Sequence, residues 1–397
     1  MIRPDIKKSR YAVCVFFLIL GTIFGSWASR IPIIKEELGL NDAELGSALF
    51  AIPFGQMFSM ALSAWIINKF GSKTALRYVS LIAPAFVVFA GLSHNFVSLI
   101  IPLFFFGMCD NLFNISVNTQ GVNIEHSYNR TIMATFHGLF SLGGFMGGLI
   151  GLMCNIYQIS VIAHFCTIFI ICSCISAISG KYLTDQDYKK TSNHVDVAES
   201  NHKSVVLDRY VLLLGFMSFF AMICEGVMYD WSGVYFNDVV RVNSSCVQLG
   251  YVLCMGTMTF GRFISDHFVD KWGSILVIRV SGILILLGLF ISSLYPSILT
   301  ASICFAIIGF GIASTVPICN SLAGKGSKYN PSTALAIVTS IGFVGFLLGP
   351  PLIGYLASWI SLRWTFTVMS GMGLCIIIFT YLINLNTYRI KTAKTCI

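Results

Sequence analysis

Charge is scarce in this chain. Only 11% of its 397 residues are Asp, Glu, Lys or Arg, less than half the roughly 25% usual in soluble domains. That deficit excludes a protein that meets water over most of its area and makes lipid its main solvent. Other signatures are missing as well. No Gly-x-x-x-x-Gly-Lys-[Ser/Thr] loop occurs, so ATP does not drive the protein directly. No His-Glu-x-x-His, no Gly-x-Ser-x-Gly elbow and no catalytic carboxylate pair is present, which argues against an enzyme. No Cys-x-x-Cys occurs among the thirteen cysteines; the nearest approach is Cys172 with Cys174. Residues such as Cys14, Cys109, Cys154, Cys254 and Cys319 stand singly in apolar runs and read as small packing residues, without metal or cofactor. The first apolar run, from Tyr11, has no small-residue cleavage pattern after it and reads as a first span.

What is present is apolar length. Hydrophobic residues make up 56% of the chain, with 33 Phe and 35 Gly; Gly allows membrane helices to approach closely. About 20 apolar residues cross a bilayer. Twelve such runs lie at about 11–31, 44–68, 74–93, 97–122, 131–154, 159–180, 209–236, 246–270, 275–294, 297–322, 332–357 and 364–385. The longest polar stretch, Lys181 to Arg209, divides them six and six. With the N-terminus cytoplasmic, twenty Lys and Arg fall on the inner side and four, Arg30, Lys35, Arg241 and Arg363, on the outer. The positive-inside bias therefore puts both termini in the cytoplasm. The net charge of +8 is mostly this bias, spread over separate short loops, so nucleic acid is not an expected partner.

The two halves echo each other. "NKFGSK" from Asn68 answers "DKWGS" from Asp270, and "ELGSALF" from Glu44 answers "QLGYVL" from Gln248. Trp27 precedes Trp231 by 204 residues, as Leu45 precedes Leu249. These repeats predict an all-α membrane protein of twelve transmembrane helices in two pseudo-symmetric six-helix bundles. The bundles are expected at 1–183 and 209–397, joined by a cytoplasmic central loop at 184–208.

On these residues the chain resembles the major facilitator superfamily. That family carries a G-x-x-x-D-[RK]-x-G-[RK]-[RK] motif between spans two and three. The positions that match it are Ala64, Asn68, Lys69, Gly71 and Lys73, with Ala64 for Gly, Asn68 for Asp and Ser72 for the first terminal base. The second copy keeps Asp270, Lys271 and Gly273. The resemblance sharpens toward the YbjJ and MosC type of bacterial inner-membrane protein, through "SWASRIP" at Ser26, "HGLFSLGG" at His137, "EGVMYDW" at Glu225, "GRFISDHFVDKWG" at Gly261 and "GPPLIGYL" at Gly349. It implies a secondary transporter in the inner membrane, without naming a substrate. Span five lacks the Gly-Pro of drug antiporters, and span four lacks their Arg, so drug efflux has less support.

The candidate site residues follow from polar groups that the apolar runs contain. On span four, Asp110, Asn111, Asn114 and Asn118 fall within an arc of about 100°. A polar stripe inside a membrane faces either a cavity or a hydrogen-bonded helix seam; the cavity reading is preferred, with Gln56, Trp27 and Asn320 as further substrate contacts. Glu225 lies sixteen residues into span seven and is the costly carboxylate, expected to carry a proton; its alternative is an ion pair with Arg30. Asp230 beside Trp231 is placed at the outer interface, where charge is cheap. His137 serves either as a proton relay or as a neutral core residue. Lys69, Gly71, Asp270, Lys271 and Gly273 read as gate residues, the carboxylate capping a helix of the opposite bundle and the Gly allowing a tight turn. Arg262 is placed near the same cytoplasmic gate, snorkelling or paired there.

The expected activity is therefore secondary active transport of a small polar solute by alternating access, coupled to protons, by a monomer in the bilayer. Proton antiport of a metabolite or drug, and a facilitator-fold receptor that transports nothing, are the alternatives.

Overall fold

The structure, a computed structural model, describes residues 4–128, 132–185, 208–326 and 330–395. The expected central loop, 184–208, lies mostly outside the described residues, as do Arg3, Arg130, Lys189, Lys190, Lys203 and Lys328. Twelve long helices account for nearly all the rest: α1 Pro4–Glu37, α2 Asp42–Phe70, α3 Ser72–Gly91, α4 Phe96–Tyr128, α5 Met133–Ile156, α6 Val161–Ser179, α7 Arg209–Tyr235, α8 Leu249–Trp272, α9 Ser274–Leu294, α10 Ile298–Gly326, α11 Pro331–Ile360 and α12 Leu362–Thr395. Among the described residues there is no strand. Eleven of the helices are long and apolar enough to cross a membrane. The twelfth, α8, carries Arg262, Asp266, Asp270 and Lys271 in its second half.

Local chemistry sets the boundaries. Asn41 and Glu44 form a reciprocal capping box at the start of α2, Ser160 caps α6, Asp208 caps α7, and Pro331 opens α11 where its missing N–H costs nothing. The α2–α3 and α8–α9 turns are each a single glycine. Gly71 has φ 82°, ψ 153° and Gly273 has φ 81°, ψ 150°, a conformation that L side chains avoid. The repeated Lys-aromatic-Gly-Ser is thus one backbone turn used twice.

Helix pairing repeats in the same way. α1 packs on α5, α2 on α4 and α3 on α6; in the second half α7 packs on α11, α8 on α10 and α9 on α12. Glycine makes these approaches close. A Cβ on Gly143 of α5 would stand 2.3 Å from the Leu18 carbonyl oxygen of α1, and one on Gly345 of α11 would stand 2.4 Å from that of Phe219 on α7. With no hydrophobic drive between helices in lipid, such backbone-to-backbone packing supplies the cohesion.

The end of the molecule where α1 starts is called proximal here and the other end distal. The halves meet chiefly toward the distal end. α2 meets α11 where a Cβ on Gly354 would lie 2.5 Å from the Asp42 carbonyl oxygen, and α5 meets α8 where Gly148 lies against the Tyr251 ring. α1 meets α7 where Gly233 lies against Pro32 and Phe24 sets its ring edge-on to Tyr229 at 5.3 Å. Polar links join the same end. Lys35 bridges Asp42 of its own half and Asp238 of the other, each at 2.5 Å. Asn155 donates to the Ser244 carbonyl and to Gln248 Oε1.

Candidate functional site

Deep in the bundle, three helices bring charge together. Arg262 Nη2 on α8 donates to Glu225 Oε1 on α7 at 2.9 Å. Its Nη1 donates to Ser141 Oγ on α5, across the boundary between halves. Ser141 in turn donates to the His137 carbonyl, and the His137 ring lies edge-on to Phe17 of α1 at 5.5 Å. The Arg262 and Glu225 side chains keep 21% and 14% exposure, so both border accessible space. Arg262 Nε is buried with no acceptor.

This differs from the placement of Arg262 at the proximal gate and from Arg30 as the partner of Glu225. Arg30 is fully occupied elsewhere: Nε donates to His164 Nδ1 at 3.1 Å, Nη2 to the Ile159 carbonyl at 3.0 Å, and Nη1 to Asn155 Oδ1 at 3.5 Å. The reason is helix direction. α7 and α8 run antiparallel, so Glu225, sixteen residues from the start of α7, comes within reach of Arg262, ten residues from the end of α8. One deep charge of each sign on consecutive spans was the available signal. Asp230 also differs from expectation. It is buried, at 7% exposure, beside the buried Tyr229 and Tyr251 rings, and the helix runs on past it through a π turn at Phe236–Val240.

The polar stripe of α4 divides between two roles. Asp110 Oδ2 accepts from Gln56 Nε2 at 2.6 Å, and Asn111 Nδ2 donates to Ser59 and Ser63, each at 3.1 Å. All three partners are on α2, so this part of the stripe is a helix seam. Asn114 is exposed, and Asn118 Nδ2 donates to its side-chain and backbone oxygens. At about 100° per residue, Asn114 lies about 20° from Gly121 and Asn118 about 20° from Asn111. Gly121 packs on Met133 and Phe136 of α5, whereas Asn111 packs on α2. Gly107, also about 20° from Asn114, packs on the Ile52 backbone of α2, so the two amides lie on the side of α4 that runs from the α2 contact to the α5 contact.

The remaining candidates are dispersed. Trp27 is fully buried and packs toward Phe165 of α6, away from these amides. Asn320 on α10 is half-buried, and its Oδ1 has no donor; the same is true of Gln56 Oε1. Lys69 lies over the Trp65 ring at 4.8 Å and Lys271 over Trp272 at 5.6 Å. Asp270 is exposed and makes no cap on α5. That helix start is capped instead by Glu125 of α4, whose Oε2 accepts from the backbone of Ile132 and Met133 at 2.9 and 3.0 Å. Sequence reasoning passed over Glu125, Ser141, Asn155 and the Lys35–Asp238 link. A Ser one turn after His137, and acids flanking helix starts, were the only signals.

Comparison with known proteins agrees with this architecture. The family model described as Major Facilitator Superfamily matches residues 12–332. The uncharacterized transporter y4wD of Sinorhizobium fredii is 28% identical over 358 residues, covering 90% of this chain and 93% of that one. The membrane protein MosC of Rhizobium meliloti is 27% identical over 377 residues, covering 94% and 89%. Among solved structures, a bacterial homologue of the human lysosomal transporter Spinster, inward-facing and unoccupied, superposes with TM-score 0.75 at 13% identity, covering 96% of this chain and 97% of that one. The nucleoside transporter NupG superposes with TM-score 0.70 at 13% identity, covering 96% and 99%. At these identities the likeness is one of fold.

Proposed function

The chain belongs to the Major Facilitator Superfamily, and from that premise we propose that it moves a small polar solute by alternating access, driven by a proton gradient. It is a multi-pass membrane transporter of that family. Bundles at 1–183 and 209–397 are the two rocking bodies, linked by the 184–208 loop. The basic residues concentrated at the proximal helix ends make that side cytoplasmic, in a bacterial inner membrane, with both termini inside and a monomer as the working unit.

The observation that carries this reading is the Glu225–Arg262–Ser141 junction. It ties α7 to α8 within one half and α8 to α5 across the halves. Protonating Glu225 removes its attraction for Arg262 and so loosens the grip of Arg262 on both neighbours. A carboxylate that is paired in one state and protonated in another is what gradient-driven transport requires. Contacts between the halves at the distal end suit an inward-open arrangement. The amides of Asn114, Asn118 and Asn320 suit a solute with hydrogen-bonding groups, with His137 beside the junction as a proton relay.

A thermal-shift screen of the purified protein against sugars, polyols, amino acids, peptides and organic acids supplies the solute. In proteoliposomes, Glu225→Gln is then expected to abolish gradient-driven accumulation while exchange of labelled for unlabelled solute continues. Accumulation that survives in this variant removes Glu225 from coupling.

A further inference from the structure

The charged junction has an unused face. An arginine fork offers Nε and one Nη side by side, matched to the two oxygens of a carboxylate. Here Glu225 takes only Nη2, through Oε1, and Nε is buried with no acceptor. The pair is one-handed where a two-handed grip is possible. A buried, unsatisfied N–H on a charged group is costly, and both side chains border accessible space.

The other groups facing Arg262 fit a single reading. Tyr229 is one turn above Glu225 on α7, and His137 and Ser141 come from α5. Glu225 is the one carboxylate acting on the guanidinium. Two further acids are buried in the bundle: Asp110 is bound to Gln56 in the α2–α4 seam, and Asp230, five residues beyond Glu225 on α7, faces Tyr229 and Tyr251. Removing the charge of Glu225 therefore leaves a cation lined by hydroxyl and imidazole groups.

We propose that the transported solute carries a carboxylate, or an oxyanion of the same planar two-oxygen geometry, and that Arg262 is its docking residue, with Glu225 as a resident competitor. This rests on the transporter reading above and adds the solute class and the order of events. A proton from water in the access pathway binds the Glu225 carboxylate and its ion pair with Arg262 breaks. The solute carboxylate then takes Nε and Nη2 together. Proton and anion bind in concert because each removes an obstacle to the other. For a monocarboxylate the combination is electrically neutral, so it crosses the membrane without carrying net charge.

The test uses the full-length purified protein and matched probes: gluconate against sorbitol, benzoate against benzamide, and succinate against succinamide. Binding is read by thermal shift and by isothermal calorimetry from pH 5.5 to 8. Carboxylates are expected to bind and their neutral partners not. One proton taken up per anion strengthens binding about tenfold for each unit that pH falls while Glu225 is ionised. Glu225→Gln is expected to tighten carboxylate binding at pH 8 at least tenfold and to flatten this pH dependence. Arg262→Lys keeps the charge and loses the fork, so binding weakens; Arg262→Gln abolishes it. The neutral double variant, Glu225→Gln with Arg262→Gln, guards against misfolding of a single variant and is expected to fold without binding anions.

Equal binding of acids and neutral partners overturns the proposal, as does carboxylate binding that Glu225→Gln leaves unchanged. Failure of every carboxylate to bind either the native protein or Glu225→Gln overturns it too. Gradient-driven uptake of a neutral solute sinks the anion site while leaving the transporter reading intact.

Discussion

Arg30 shows how much one buried side chain can organise. Its three donors go to three separate acceptors on α5, α6 and the turn between them. Because Arg30 Nε donates to His164 Nδ1, that ring nitrogen must be unprotonated. Arg30→Met strips all three acceptors at once; only the bond to His164 is fully buried and the other two are partly so, and with about 1 kcal/mol for a buried group left unpaired, a loss of roughly 1–2 kcal/mol is expected. Arg30→Lys should not restore it, since one ammonium cannot reach three diverging acceptors. Thermal inactivation of the purified variants checks both; a lysine variant as stable as the native protein contradicts the account. Asp110 is a contrasting case. Its seam with Gln56 on α2 survives in Asp110→Asn, which keeps an acceptor oxygen, so that variant should fold normally. Any effect on solute binding then reports the lost charge alone.

Helices here are held by what they omit. Where α5 crosses α1, Gly143 leaves no room for a Cβ, whereas Gly371 on α12 has open space around it. Gly143→Leu should therefore separate the two helices and cost more than ~3 kcal/mol, the upper end for overpacking. Gly371→Leu, an equal change in hydrophobicity, should be nearly silent. Monodispersity in detergent distinguishes the pair, and equal behaviour of the two would contradict the packing argument. The one-residue turns belong to this scale as well. Gly71 and Gly273 sit at φ near +80°, so alanine at either is strained, by roughly 1–2 kcal/mol.

The alternating access proposed for this protein requires two arrangements of the whole molecule, and different charges sit at its two ends. At the distal end Lys35 joins the halves through Asp238. At the proximal end Asp270 is exposed, and the proposed gate has it act when that end closes. Opposite effects are expected. Asp238→Asn should favour distal opening, and Asp270→Asn should favour distal closure. A partly exposed ion pair contributes about 0.5–1 kcal/mol, a two- to fivefold shift in the populations. Labelling of single engineered cysteines near each end, in a background lacking the native ones, reads the balance. Shifts in the same direction for both variants would deny that the ends oppose each other.

Much of this protein was legible in its sequence because lipid imposes a simple grammar. A helix must satisfy its own backbone in a bilayer, so length and apolarity gave the twelve helices, and repeated Lys-aromatic-Gly-Ser gave the equivalence of the halves. Gly71 and Gly273 were readable because a one-residue turn at positive φ favours glycine, although the α11–α12 turn makes the same conformation with Ser361. The stripe on α4 was readable as polar, but its division was not. Which of Asp110, Asn111, Asn114 and Asn118 bonds to α2 and which does not depends on how α4 is rotated against its neighbours, and packing alone decides that. Pairing of charges was hidden for the same reason. By sequence, Arg30 is the partner offered for Glu225 and Arg262 belongs at the gate, whereas the structure ties Arg30 to His164 and pairs Glu225 with Arg262. Composition gives each helix its place in the membrane; only the tertiary structure, by setting rotation and neighbour, decides which buried charges touch.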